Sequence, residues 1–327
     1  MTKPITIFAE SDSNFFPHLI GLILSIREKP EAAQVDISIF DLGMTEPQKT
    51  WLNQYVANIV APDWGLPPTP GMPAPFKGLF ATPRTPALIP DYEIYVHIDS
   101  DAWVQDWQAV ELLIEGAQRS HLAIVPELER SFCSNYHYAD GYRRFAWDCF
   151  NQCHGPSAAE KYLNYPILNS GVFSMRADSP YWGLWLNNLE KTLARFTPNF
   201  MMNQTALNLA VFERITGDRP ADVELLPITC NWTCYIGLPF YSKSRECIVE
   251  PYLPHQKIGI IHRNSEDFRR QGTFTVRTCE GDTVRMNLKY REGDFGHASP
   301  PVAAEKLSGW GSAWWQGVRT DLDIKDY

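Results

Sequence analysis

The sequence predicts an α/β fold: a Rossmann-like, mainly parallel sheet flanked by helices, with a C-terminal β-hairpin extension. Three observations predict it. Short apolar runs of strand length alternate with segments of helical spacing through the first half of the chain, the order that builds parallel sheets. Hydrophobic residues make up 44% and charged residues 20% of 327, the composition of a globular chain able to bury a full core. Near the C-terminus Glu280-Gly281-Asp282 separates two strand-like runs, a hairpin signal.

In chain order, residues 5–8 read as a strand, and Leu19, Leu22, Ile23 and Ile26 recur at the spacing of one helix face. Residues 35–40 return as a strand, which Asp41-Leu42-Gly43 ends. Thr45, with Pro47 two positions on, starts a helix carrying Trp51, Leu52 and Tyr55. Residues 58–60 form a short strand, and the Pro- and Gly-dense stretch 62–75 is a surface loop. A strand at 93–98, a helix at 107–119 and a strand at 122–125 extend the βαβ order. Farther on, a strand is expected at 168–175, helices at 181–195 and 204–215, strands at 223–226 and 257–261, and the hairpin at 273–278 and 283–290. The chain divides into a domain over residues 1–270 and an extension over 271–327. Trp310, Trp314 and Trp315 of that extension are expected to strap aromatic rings against the core.

Charge and composition exclude several functions. With 29 Lys+Arg against 38 Asp+Glu the net charge is −9, and without a dense basic block no nucleic-acid partner is expected. An acidic chain can still hold a phosphate through a cation. The most apolar window, residues 15–26, contains Pro17 and His18 and is shorter than the roughly 20 residues of a bilayer span, so no transmembrane segment is expected. No secretory signal is visible. Seven scattered cysteines suit a reducing compartment, and a cytoplasmic location is expected. Aromatic residues are 13%, with 11 Trp, enough to stack against sugar-like ligands as well as to fill a core.

The sharpest local feature is Ile94-Tyr95-Val96-His97-Ile98-Asp99-Ser100-Asp101. An apolar strand ending in carboxylates at i and i+2 puts both on one side of the chain, at the carboxyl edge of a sheet, where open α/β folds bind ligands. Asp99 and Asp101 are therefore candidate ligands for a hard divalent cation, Mn²⁺ or Mg²⁺, which can bridge a diphosphate. Late in the chain Ile258-Gly259-Ile260-Ile261-His262 is another apolar strand closing on a potential ligand, and imidazole fills a Mn²⁺ position well. Trp103 and Trp107, just past Asp101, are expected to line the site.

Seven pieces fall in one order over residues 5–262: Phe8-Ala9-Glu10-Ser11-Asp12, Phe40-Asp41-Leu42-Gly43-Met44, Asp99-Ser100-Asp101, Val125-Pro126-Glu127, Leu168-Asn169-Ser170-Gly171-Val172-Phe173, Asn203-Gln204-Thr205-Ala206-Leu207-Asn208 and the strand ending in His262. In these the chain resembles the GT-A-fold nucleotide-sugar glycosyltransferases, most of all glycosyltransferase family 8, the retaining galactosyl- and glucosyltransferases. The resemblance implies transfer of a hexose from a UDP-hexose donor to a hydroxyl of a glycan or glycolipid-precursor acceptor. It implies that Ala9, Ser11 and Asp12 hold the uracil and ribose, and that Asp99, Asp101 and His262 hold the metal. Ser100, Asn169 and Ser170 would contact the donor, Glu127 would face the sugars, and Gln204 would lie under the anomeric carbon. Lys77, or in its place Arg84, would reach the diphosphate.

The residue chemistry agrees. Carboxylates accept hydrogen bonds from sugar hydroxyls, and amides both donate and accept. Gln204 is a poor nucleophile, which favours a front-face route over a double displacement. There are two departures from the family pattern. Asn203 stands where the family often has Asp, and residues 263–270, with Arg269 and Arg270, replace its Gly and Lys-Pro-Trp. Three rival readings are a haloacid-dehalogenase-like phosphatase using Asp99, Asp101 and the acidic run 217–222, a zinc site from Cys149/Cys153 and Cys230/Cys234, and a non-catalytic carbohydrate-binding pseudo-transferase.

Overall fold

A computed structural model describes residues 3–65, 72, 75–132, 141–216 and 219–290. The chain opens with β1 (Lys3–Ser11), α1 (Phe16–Arg27), β2 (Asp36–Asp41), α2 (Glu46–Leu52), β3 (Asn58–Val60), α3 (Phe76–Ala81), α4 (Thr85–Leu88), β4 (Tyr92–Ile98), β5 (Ala102–Val104), α5 (Gln108–Arg119) and β6 (Leu122–Pro126). It continues through α6 (Tyr142–His154), α7 (Pro156–Tyr162), β7 (Leu168–Arg176), α8 (Tyr181–Leu193), α9 (Met201–Phe212), β8 (Ile215–Thr216), β9 (Arg219–Pro220) and β10 (Val223–Leu225). Last come β11 (Trp232–Thr233), β12 (Phe240–Ser242), β13 (Cys247–Val249), β14 (Ile260–His262), α10 (Glu266–Arg270), β15 (Phe274–Arg277) and β16 (Thr283–Met286).

Seven strands form the central sheet in the order β10-β6-β7-β4-β1-β2-β3. Only β7 runs against its neighbours β4 and β6. Side chains alternate across the strands, so one face carries Ile7, Ile37, Ile39, Ile94 and Val96 against α1 and α5. The other carries Phe8, Phe40, Tyr95 and Phe173 against α8 and α9. This second face absorbs much of the aromatic surplus: Phe8 meets Phe40, Tyr95 and Phe173 edge to face, and Phe173 meets Trp185. Each such fully buried side chain contributes about 1.5–3 kcal/mol of transfer free energy.

Local chemistry accounts for the early elements. Pro17 opens α1, where its missing N–H costs no helical bond. Thr45 and Gln48 close a capping box at the start of α2. The expected helix at 204–215 starts earlier, at Met201, and ends at Phe212, because Ile215 and Thr216 pair with Pro220 and Arg219 instead. The strand expected at 257–261 narrows to Ile260–His262, since the Gly259 carbonyl accepts from Gln105 N and Asp106 N outside the ladder. Helices α6 and α7 are additions to the sequence reading.

The C-terminal hairpin forms as β15 and β16. Val276, Met286 and Leu288 join the cluster that holds α1 and α5. Trp310, Trp314 and Trp315 lie outside the described residues. Among those described, no helix is long and apolar enough to cross a membrane.

Candidate active site

The sheet order gathers the expected residues at one edge. Strands β1 and β4 are parallel neighbours, so Glu10 and the Asp99–Asp101 turn leave the sheet at the same end. Strand β7 runs the other way, which brings its opening residues Asn169 and Ser170 there too. Glu127 follows β6 directly. Helix α9 is locked to β7 by the buried amide of Asn208, which accepts from Leu168 N (2.8 Å) and donates to Leu168 O (2.8 Å). One turn earlier, Gln204 Oε1 accepts from Ser170 N at 3.1 Å. The Gln204 amide nitrogen has no partner among the described residues.

A small second sheet, β11-β14-β5, delivers the histidine. Strand β5 continues from Asp101, and β14 pairs with it antiparallel so that His262 stands opposite Ala102. His262 Nε2 lies 3.2 Å from Asp101 Oδ1 and 3.4 Å from Asp99 Oδ2. Ligand atoms of all three residues lie within 4.8 Å of one another. Asp101 and His262 are buried, whereas the Asp99 side chain keeps 35% of its surface and forms the open side. Gly171 leaves room for this cluster. A Cβ there would stand 2.4 Å from Asp99 Oδ2 and 2.5 Å from His262 Cε1.

The cluster is strongly coupled electrically. Burial opposes charge on His262, but Asp101 and Asp99 outweigh it and raise the imidazole pKa to about 10. Burial also opposes the Asp101 carboxylate, yet His262 and Arg269 hold it well below the usual carboxylate range. Arg269, from α10, puts Nη1 2.5 Å from Asp101 Oδ2 and stacks its guanidinium 4.7 Å over the Phe15 ring.

A hydrogen-bond relay orients the histidine. His262 Nδ1 donates to Asn231 Oδ1 at 2.9 Å, which turns Nε2 toward the carboxylates. Asn231 Nδ2 donates to Asn169 Oδ1 (2.9 Å), which also accepts from Gly171 N (2.8 Å). Asn169 Nδ2 then donates to Glu127 Oε1. The Asn169 amide is thus largely engaged within the protein and keeps one N–H for a ligand. Burial raises Glu127 to about 7, against the lowering effect of Asn169 and His262.

A second group shares Asp99. His97 Nε2 lies 2.9 Å from Glu10 Oε2 and 3.7 Å from Asp99 Oδ1, and Nδ1 donates to Ser170 O at 3.0 Å. Burial works against the His97 imidazolium, but Glu10 and Asp99 prevail and its pKa is raised.

The remaining expected residues divide. Ala9 and Ser11 are buried; Ser11 Oγ donates to Asp12 O, and Asp12 Oδ1 accepts from Asn14 N (2.9 Å) and Phe15 N (2.8 Å). Ser11 and Asp12 therefore close the turn into α1. Ser100 Oγ donates to the Glu10 carbonyl, tying β4 to β1. Lys77 Nζ lies 5.6 Å over the Trp64 ring. Arg84 is spent on Asp63 Oδ1 (2.7 Å), Asp63 O (2.9 Å) and Phe80 O (3.0 Å). Trp103 and Trp107 do not line the crevice. Both are in the core, where Trp103 Nε1 donates to Leu288 O, because β5 turns inward beneath the hairpin.

Sequence reasoning missed Asn231 and the special role of Gly171, and it named Arg269 only within the segment that replaces the family's Lys-Pro-Trp, not as the partner of Asp101. His97 carried a signal: two residues before Asp99 on a strand, it must share that face. The rival readings lose their geometry. Cys149 and Cys153 lie in the core on one sheet face, Cys230 and Cys234 in the core on the other, so they build no common zinc site. Asp222 precedes β10, three strands from β4 and at the opposite end of the sheet from Asp99, so it lies farther off than the roughly 14 Å of three strand spacings, too far to serve Asp99 as a phosphatase's downstream carboxylate. Asp218 lies outside the described residues.

No protein-family model matches the chain, and no curated protein matches it. Solved structures do. The galactosyltransferase LgtC in complex with donor and acceptor sugar analogues matches at a TM-score of 0.50 and 11% identity, over 80% of this chain and 88% of that one. The bifunctional glycosyltransferase WbbM in its apo structure matches at a TM-score of 0.51 and 16% identity, over 81% of this chain and 46% of that one. With its mostly parallel sheet, flanking helices and strand-end carboxylates, the chain has the GT-A fold of the nucleotide-sugar glycosyltransferases.

Proposed function

We propose that the chain is a metal-dependent glycosyltransferase of the family 8 type, moving a hexose from a UDP-hexose to a hydroxyl of a glycan or glycolipid-precursor acceptor with retention of configuration. One observation carries this reading. Asp99, Asp101 and His262, from two distant parts of the chain, converge at the sheet edge, and a hydrogen-bond relay leads from His262 to Glu127. The likeness to LgtC, solved with donor and acceptor sugar analogues, supports it. We take residues 1–270 as the transferase domain and the cytoplasm as its location, a setting that suits the six free cysteines among the described residues.

Asp99, Asp101 and His262 would hold Mn²⁺ or Mg²⁺. Two carboxylates and an imidazole oriented by Asn231 are a fitting donor set, and Gly171 keeps their approach clear. When bound, the ion supplies charge neutralisation for the departing diphosphate. Arg269 and Lys77 offer cationic contacts to the phosphates. Ala9, Ser11 and Asp12, at the adjoining end of β1, would take the nucleoside.

Gln204, with Oε1 fixed on Ser170 N, presents its amide N–H groups to the sugar, as does the remaining N–H of Asn169. An amide under the anomeric carbon is a weak nucleophile, so retention follows the front-face route. Glu127, near 7, accepts hydrogen bonds from hydroxyls and holds a proton part of the time at neutral pH.

The test is UDP release from a panel of UDP-hexoses with and without Mn²⁺. Metal-dependent release from at least one donor is expected, and Asp101→Ala abolishes Mn²⁺-dependent UDP binding. Failure to bind or hydrolyse any nucleotide sugar refutes the reading.

A further inference from the structure

We infer that Glu10 is a fourth carboxylate of the donor pocket, beside Asp99, Asp101 and Glu127, one that accepts hydrogen bonds from hydroxyls of the transferred sugar, with His97 as its positioning residue. The inference rests on the reading of the crevice as a nucleotide-sugar site. Strand register starts the argument. Phe8 stands opposite His97 on the parallel pair β1/β4, and their rings meet at 4.8 Å. Two residues farther along, Glu10 and Asp99 leave the two strands on that same face.

Glu10 is held from several directions. Its Oε2 accepts from His97 Nε2 (2.9 Å), and Ser100 donates to its carbonyl. The other nitrogen of His97 donates to Ser170 O, so the ring is held between Glu10 and the β7 backbone. Helix α3 comes down over Glu10 because Gly78 lacks a side chain; a Cβ there would stand 3.2 Å from Glu10 Cγ. Yet the Glu10 side chain keeps 19% of its surface, and Oε1 accepts no hydrogen bond among the described residues. The carboxylate is fixed at one oxygen and open at the other.

Charge decides what the open oxygen takes. Asp99 divides the crevice, with Oδ2 toward His262 (3.4 Å) and Oδ1 toward His97 (3.7 Å). The His262 side carries Asp101 and Arg269 and suits a cation with its phosphates. On the His97 side the open carboxylate of Glu10 would repel phosphate oxygens. It would attract neutral hydroxyls and the partial positive charge that builds on a sugar as its bond to the diphosphate breaks. The Ser170 backbone, bonded to His97 through its carbonyl oxygen and to Gln204 through its N–H, joins Glu10 and Gln204 in one frame.

The experiment is calorimetric binding of Mn²⁺, of UDP with Mn²⁺, and of a turned-over UDP-hexose with Mn²⁺, for the wild type, Glu10→Gln and Glu10→Asp, with thermal unfolding as the check on folding. A hydrogen bond to a charged acceptor is lost, so Glu10→Gln weakens UDP-hexose binding about tenfold or more while UDP and Mn²⁺ binding change less than about twofold. Glu10→Asp keeps a charge for His97 but retracts it, and shows the same sugar-specific loss. Equal weakening of UDP and UDP-hexose, or unchanged binding of all three ligands, overturns the inference. So does a fall in Mn²⁺ affinity alone, which would make Glu10, His97 and Asp99 a cation site. A wild type that binds UDP but no UDP-hexose also overturns it; one that binds neither overturns the donor reading beneath it.

Discussion

Gly171→Ala is the smallest change that reaches the centre of the site. The added methyl would start 2.4 Å from Asp99 Oδ2, 2.5 Å from His262 Cε1 and 2.9 Å from Asn169 Oδ1. Non-bonded carbon contacts settle near 3.5 Å, so the Asp99 carboxylate and the His262 ring must each retreat by about 1 Å. Asn231 and Asp101 hold the ring by the two nitrogens that flank Cε1, and the Gly171 carbonyl accepts from Asp99 N at 2.7 Å, so neither retreat is free. Overpacking of this kind costs about 1–3 kcal/mol of stability, and a displacement of about 1 Å at a reacting centre costs on the order of 100-fold in rate. Calorimetric titration with Mn²⁺ in the presence of UDP, paired with thermal unfolding, reads both effects. We expect at least a tenfold weaker Mn²⁺ affinity and a lower melting temperature. Wild-type metal affinity in a protein of wild-type stability would refute the placement of the ligands around Gly171.

Asn231→Ala removes the acceptor that orients His262 and the donor that reaches Asn169, and should weaken Mn²⁺ binding about 10- to 100-fold in the same titration; a loss below twofold would remove Asn231 from the site. His154 offers a test of the fold away from the site. Burial lowers its pKa from 6.5 to about 4, and its ring nitrogens meet Thr205 Oγ1 (2.8 Å) and Thr192 Oγ1 (3.0 Å). Between pH 6.5 and 4 the unfolded chain takes up a proton that the folded chain refuses, so the stability this residue contributes is full above 6.5 and falls with pH through that window. The change is at most about 3 kcal/mol, discounted for partial exposure. Denaturant unfolding at several pH values should show a shallower acid slope for His154→Gln, whereas an unchanged slope would assign the acid sensitivity elsewhere.

The first half of the fold was legible because its signals are local. Apolar runs such as residues 94–98 and the cap at Thr45 act over a few residues, and β1, α1, β2, α2, β4, α5 and β6 follow them. Helices α6 and α7 escaped because Tyr142–Tyr162 mixes charged, aromatic and small residues, so no run of apolar residues announces its buried face. At the site, Asp99, Asp101 and His262 could be read as polar residues ending apolar strands. Asn231 could not, because it ends a short 3-10 turn with no periodicity, and its value lies in two partners remote in sequence. Trp103 and Trp107 show the opposite error, since closeness to Asp101 along the chain is not closeness to the crevice when a short strand turns its side chains inward.

The central claim, that Asp99, Asp101 and His262 form the cation site of a nucleotide-sugar transferase, is tested most directly by anomalous diffraction from crystals grown with UDP and Mn²⁺. The account predicts one manganese peak within bonding distance of a carboxylate oxygen of Asp99, one of Asp101 and Nε2 of His262, with the UDP diphosphate beside it. Manganese bound elsewhere, or UDP bound with no manganese among these three side chains, would contradict it.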